Sequence, residues 1–161
     1  MKTCCVYPGS FDPITLGHVD IIRRAAGIFP RVTVAVLRNP NKPGWFPLEK
    51  RVEMIKRACA ELSNVEVDCF EGLLVDYIKT QHGAVVIRGL RAVSDFESEF
   101  QMAQVNHQIS PELETLFMMT GPQYGYISSS VVREVASFGG DVSSMVPEGI
   151  LQDIREKFST P

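Results

Sequence analysis

Thr3-Cys4-Cys5-Val6-Tyr7-Pro8-Gly9-Ser10-Phe11-Asp12-Pro13-Ile14-Thr15-Leu16-Gly17-His18 is the stretch whose reading decides the fold. Thr3–Tyr7 has the length of a strand and is nearly continuous in apolar character, as expected of a strand buried on both faces. Pro8, Gly9 and Pro13 then punctuate a turn. Gly17 and His18 open a helix on which Val19, Ile22, Ala26 and Phe29 share one face. A buried strand, a loop and an amphipathic helix make half of a parallel βαβ unit.

Outward from this unit the pattern recurs. Further apolar runs are Val32–Leu37, Val65–Phe70, Ala84–Ile87 and Thr115–Met119. Leu48, Val52, Ile55, Cys59 and Leu62 mark a second helix at spacings of four and three. Ser94 and Glu97 read as a capping box opening another helix, with Phe96, Phe100 and Ala103 facing inward. Ser128 or Ser129 caps a helix through Phe138 that Gly139 and Gly140 end, and Pro147 opens a last one carrying Ile150, Ile154 and Phe158. The expected fold is α/β: a doubly wound, five-stranded parallel sheet of Rossmann-like form, order 3-2-1-4-5, with helices on both faces. Residues 1–161 read as a single domain. The switch point falls between strands 1 and 4, and ligands bind beyond the carboxyl ends of such strands.

Bulk properties narrow the function. Net charge is −3, from 16 basic and 19 acidic residues, which disfavours nucleic acid as a partner. No apolar run approaches ~18 residues, so no membrane span is expected. The first residues lack a secretory pattern, and Cys4, Cys5, Cys59 and Cys69 form neither a C-x-x-C pair nor a zinc spacing. Cys4 and Cys5 read as core thiols, and a cytoplasmic location follows.

The loops after the strands carry the chemistry. The first is neither G-x-G-x-x-G nor a P-loop. Gly9 lets the backbone approach a ligand, Ser10 offers a hydroxyl and an N–H, and the helix opened by Gly17 and His18 presents an N-terminus that favours phosphate. Read alone, T-x-G-H is equally an ordinary turn with a capping histidine. Arg88-Gly89-Leu90-Arg91 reads as the loop after strand 4, across the switch point, where two arginines suit polyphosphate. Solvated surface arginines are the plain alternative. Tyr124-Gly125-Tyr126-Ile127-Ser128-Ser129-Ser130, followed by Arg133, puts three serines at a helix start, although capping needs only one. The loop from Arg38 to Pro47 is rich in proline and holds Lys42, which in isolation reads as a solvated lysine. His82 and His107 read as structural or solvated.

Together, Gly9-Ser10-Phe11-Asp12-Pro13, Thr15-x-Gly17-His18, Arg88-Gly89-Leu90-Arg91 and Ile127-Ser128-Ser129-Ser130 resemble the bacterial phosphopantetheine adenylyltransferase family. The likeness spans essentially the whole chain. The first and last motifs are shared across the nucleotidyltransferase superfamily. Arg88–Arg91, with Ala92-Val93-Ser94-Asp95-Phe96-Glu97 after it, is specific to the phosphopantetheine branch. The resemblance implies transfer of an adenylyl group from ATP to 4′-phosphopantetheine, giving 3′-dephospho-CoA and pyrophosphate, with magnesium (Mg2+) as cofactor. It implies that His18 stabilises the transferring α-phosphate and that Lys42 contacts phosphate and acceptor. It implies that Ser10, Lys42, Leu74 and Arg88 hold phosphopantetheine. It implies that Gly9, Ser10, Phe11, His18, Gly89, Leu90, Arg91, Glu99 and Tyr124–Ser130 (Tyr124, Gly125, Tyr126, Ile127, Ser128, Ser129, Ser130) hold ATP. No protein metal ligand is implied. A homohexamer and inhibition by coenzyme A are implied too. Leu16, Pro43-Gly44-Trp45 and Pro47 depart from the family pattern, as do Ser98 and Tyr124, where other aromatic residues are usual.

The acceptor is itself an ionised phosphate, so no general base is needed to make a nucleophile. What remains is to align two anions and neutralise growing charge. The competing readings are a nucleotidyltransferase for another phosphorylated acceptor, such as nicotinate mononucleotide or glycerol phosphate, and a non-catalytic nucleotide sensor of the same fold.

Overall fold

The computed structural model describes residues 4–41, 43–81 and 84–159. Five strands, β1 (Cys4–Gly9), β2 (Arg31–Arg38), β3 (Val65–Glu71), β4 (Val85–Leu90) and β5 (Thr115–Met119), alternate with helices. The helices are α1 (Leu16–Ala26), α2 (Leu48–Ala58), α3 (Leu74–Thr80), α4 (Val93–Ile109), α5 (Ser129–Ser137) and α6 (Glu148–Ser159). All strand pairs are parallel and the order is β3-β2-β1-β4-β5, the order the sequence predicts. Among the described residues no helix is long and apolar enough to cross a membrane.

Strand alternation splits the core in two. Cys5, Tyr7, Val34, Val36 and Ile87 face one side, with Ile22 of α1, Ile55 of α2, Val132 of α5 and Ile150 of α6. Cys4, Val6, Ala35 and Val86 face the other, against Val75 and Ile78 of α3. Cys4, Cys5 and Cys59 are buried thiols, while Cys69 on β3 is exposed.

The expectation of strands buried on both faces holds for β1, β2 and the first half of β4. It fails for β3 and β5, which alternate between half-buried and exposed. Both are edge strands with one neighbour each. The inward packing expected of Phe96 and Phe100 is also wrong. Their exposures are 41% and 45%, and α4 has no buried residue. The Ser94–Glu97 capping box is absent as well. The helix begins two residues earlier, with Ala92 at the N-cap and no side-chain cap. Asp95 then occupies the third helical position and accepts a hydrogen bond from the Arg91 N–H instead.

β1 and β2 stay paired over six residues, but β1 and β4 pair only at Cys5–Val85 and Val6–Val86. Beyond that point the strands part. Pro8 has no N–H to extend a ladder, and its carbonyl accepts from Arg88 Nη1 at 2.7 Å. The opening is the topological switch point, where a doubly wound sheet admits its ligand.

The last helix is tied down by charge. The Asp153 carboxylate of α6, 13% exposed, accepts from Lys50 (2.6 Å) and Arg57 (2.5 Å) of α2. Arg57 also donates to the Gly149 carbonyl at 2.8 Å. Asp153→Ala strips two cations of their shared partner and should cost about 1–3 kcal/mol. In a chain of this size that lowers Tm by roughly 2–4 °C per kcal/mol. Thermal unfolding checks it, and an unchanged Tm would show that apolar packing alone docks α6.

Candidate active site

The loop after β1 closes onto the first turn of α1. The Thr15 hydroxyl accepts from the His18 N–H at 3.4 Å, and the Thr15 N–H donates to His18 Nδ1 at 3.0 Å. This reciprocal cap resembles a capping box with histidine in place of glutamate. It also fixes chemistry. Nδ1 is an acceptor, so the neutral ring carries its proton on Nε2. The ring lies 5.0 Å from Phe11 and 6.3 Å from Tyr7, centroid to centroid, both edge-on. Burial, and then the charges of Arg91 and Arg88, push its pKa down to about 4. His18 is therefore a neutral donor near pH 7, and its capping role does not compete with a contact through Nε2.

A cavity of about 250 Å³ opens beside this ring, lined by Gly9, Ser10, Phe11, His18, Arg88, Gly89, Arg91, Glu99, Ile127, Ser128 and Ser129. A second, of about 460 Å³, is lined by Leu74 with Leu37, Phe70, Leu73, Met102 and Ala103. The two share Pro8, Gly9, Ser10, Arg88 and Glu99 as a common wall. One compartment is polar and the other apolar, and they meet at Ser10 and Arg88. Leu90, Tyr124, Gly125, Tyr126 and Ser130 line neither. Lys42 lies outside the described residues.

Arg88, Gly89 and Leu90 are not a loop, as the sequence suggests, but the last three residues of β4, paired with Phe117, Met118 and Met119. A rigid strand end rather than a mobile turn aims Arg88. A Cβ on Gly89 would come within 3.2 Å of Ile21 and of the Tyr7 hydroxyl, so the strand packs closely there.

Sequence reasoning missed what the two arginines hold. Arg88 donates from Nε and Nη2 to Glu99 at 2.6 and 2.5 Å. Arg91 donates from Nε and Nη2 to Asp95, both at 2.9 Å, and from Nη1 to the Ile127 carbonyl at 3.3 Å. Asp95 and Glu99 stand one turn apart on α4, so one helix face supplies both carboxylates. Burial works against ionisation of Asp95, but hydrogen bonds from Arg91 outweigh it and hold its carboxyl below the usual range. The Arg91–Asp95 spacing of four was a readable signal. It carries meaning only once the helix start at Val93 is known.

The remaining contacts concern the loop after β2. Asp12, 6% exposed, accepts from the Trp45 and Phe46 N–H groups at 2.7 and 2.9 Å. Pro47 caps α2 without a side-chain bond, as its departure from the family pattern implies. Leu16 places its N–H on the Met145 carbonyl at 2.9 Å. His107 lies 3.4 Å from the Leu113 carbonyl, through Nδ1, while His82 lies outside the described residues.

A cytidylyltransferase-like family model matches residues 6–135. The phosphopantetheine adenylyltransferase of Finegoldia magna is 56% identical over 158 residues, covering 98% of each chain. That of Alkaliphilus metalliredigens is 57% identical over 152 residues, 94% of this chain and 97% of the other. The chain belongs to the phosphopantetheine adenylyltransferase family.

The same architecture occurs in Plasmodium falciparum nicotinic acid mononucleotide adenylyltransferase, solved in complex with NaAD, with a TM-score of 0.67. The alignment covers 99% of this chain and 97% of that one, at 18% identity, and speaks for the fold alone. The activity of the phosphopantetheine adenylyltransferase family implies a divalent cation. Among the described residues no three His, Cys, Asp or Glu side chains gather to hold one, and the cavity's carboxylates are committed to arginines. The described residues thus form no cage for such an ion.

Proposed function

We propose that this phosphopantetheine adenylyltransferase family member transfers the adenylyl group of ATP to 4′-phosphopantetheine, releasing pyrophosphate and 3′-dephospho-CoA. The observation that carries this is the pair of unlike cavities meeting at Ser10 and Arg88. A polar compartment beside a helix N-terminus and a serine-rich loop suits a triphosphate. An apolar slot walled by Leu74 and Met102 suits a pantetheine arm. The reacting phosphates would then meet at the shared wall, next to His18.

The proposed residue roles combine position in the two cavities with the family likeness. Nε2–H of His18 donates to an α-phosphate oxygen as its charge changes. Arg88 aligns the acceptor phosphate. Arg91, Gly89, Ser128 and Ser129 grip the triphosphate, with Gly9, Ser10 and Phe11 as the floor. Glu99 borders both substrates. Leu90, Tyr124, Gly125, Tyr126 and Ser130 are assigned to the adenosine end through the family likeness, and Lys42 to the phosphates on the same ground. No covalent intermediate is required. Magnesium is proposed as the divalent ion, carried by phosphate oxygens and water, as is usual for this cation. Coenzyme A, which shares the pantetheine arm, is proposed as an inhibitor competing for the Leu74 slot, and the cytoplasm as the location.

Pyrophosphate release with ATP and each of phosphopantetheine, nicotinate mononucleotide and glycerol phosphate tests the assignment. Only phosphopantetheine should support rapid release, and equal turnover with either other acceptor would overturn it. A homohexamer is proposed from the family likeness. It is supported by the exposed Val93, Phe96 and Phe100, which share one face of α4. Sedimentation at micromolar concentration should give the mass of six chains, and a monomer would remove the proposal.

A further inference from the structure

Phe11 is the one non-glycine residue with positive φ, +46°, among those described. Such a backbone persists only where its surroundings over-determine it, and it clusters at functional sites. Here the surroundings are two arginines from different helices. Arg51 of α2 donates through Nη1 to the Ser10 carbonyl at 2.8 Å, just before Phe11, and reaches the Leu37 carbonyl at 3.4 Å. Arg133 of α5 donates through Nη1 to the Asp12 carbonyl at 2.6 Å, just after Phe11. Neither arginine lines the cavity beside His18.

Between these two carbonyls stands Phe11, and its ring is closely packed. It is 2% exposed and packs edge-on against His18, with centroids 5.0 Å apart, and against Tyr7 at 5.3 Å. A Cβ on Gly9 would meet this ring at 3.0 Å, so the ring lies directly on the end of β1. Arg51 is 7% exposed, and its Nε is the single buried side-chain nitrogen or oxygen among the described residues without a partner. An apolar residue of similar volume would avoid that cost. What the guanidinium makes in return is its pair of bonds to the Ser10 and Leu37 carbonyls.

We propose that Arg51 and Arg133 are positioning residues that clamp the carbonyls flanking Phe11, and so hold the Phe11 ring as the wall that orients the His18 imidazole for transfer. The inference rests on the role given to His18 above.

The test uses the full chain carrying Arg51→Met, Arg133→Met or Arg51→Lys, each alone and with His18→Ala. Each Met variant should lower kcat by about tenfold or more while both KM values move by less than about threefold, since a small misplacement of a catalytic group slows the chemical step. In the His18→Ala background the further loss should be under about twofold, because the residue acted through is gone. Arg51→Lys should recover most of the turnover. The ring nitrogen resonances of His18 should shift in both Met variants. Losses that multiply fully with His18→Ala, or ring resonances that stay in place, would overturn the clamp. If Arg51→Met does not fold, Arg133→Met decides, since Arg133 is half-buried on α5. If His18→Ala turns over like the parent enzyme, the role of His18 falls, and the ring resonances alone judge the clamp.

Discussion

Turnover of His18→Ala should fall by ~10²–10³, equivalent to roughly 3–4 kcal/mol of transition-state stabilisation, while ATP affinity changes by less than about tenfold. The split follows from the geometry. Nδ1 is occupied by the Thr15 N–H, which leaves Nε2–H to serve a group whose charge changes in the reaction. The structural share of the residue is the cap, worth about 1 kcal/mol, so Tm should drop by only a few degrees. Near-normal turnover with a lowered Tm would mean that the cap is all His18 does. A second arm follows the proton. Burial and the flanking arginines hold the folded pKa at about 4, below the unfolded value of ~6.5. The unfolded chain therefore takes the proton first as pH falls. The stability contributed by neutral His18 is complete above pH ~6.5 and drains away between there and about 4. An NMR titration that finds the ring protonating near 6.5 in the folded enzyme would contradict the half-buried, arginine-flanked environment.

Arg88→Met should lower kcat/KM for phosphopantetheine by about 10²-fold or more, from the loss of charge-assisted donors to its phosphate. The same change leaves the Glu99 carboxylate without the fork it occupies at 2.5–2.6 Å. The pair retains 29% and 21% side-chain exposure, so the stability loss should be about 1–2 kcal/mol, less than for a fully buried pair. Adding Glu99→Gln removes the stranded charge. The double variant should regain stability without regaining the acceptor. Recovery of both together would assign Arg88 a purely structural role.

Much of the fold can be read from the sequence because its apolar pattern is periodic. Runs such as Val32–Leu37 are short, apolar and rich in β-branched residues, and their alternation with helices points to a doubly wound parallel sheet. The loop residues stand out only as a set, through the family resemblance, because each motif alone reads equally as a turn, a cap or a solvated charge. The errors have a common origin. Phe96 and Phe100 show that α4 has an apolar face, but sequence does not say what that face meets. Arg88–Leu90 reads as a loop because the apolar run Ala84–Ile87 stops before it, whereas pairing with β5 keeps it extended. Arg51 was invisible, since an arginine on an amphipathic helix looks solvated until its carbonyl partners are seen. Asp12 hid in the same way inside a motif read for its neighbours.

The two carboxylates of α4 have a further consequence. With Arg88 facing Glu99 and Arg91 facing Asp95, the charged side chains among the described lining residues of the polar compartment cancel before any substrate arrives. A phosphate that takes either guanidinium trades places with an anion already seated there, so its gain is the difference between two ion pairs. Bare arginines would trap any small polyanion. An exchange-limited pocket rewards only a ligand that makes enough other contacts at once, and it lets pyrophosphate go once those contacts are cut.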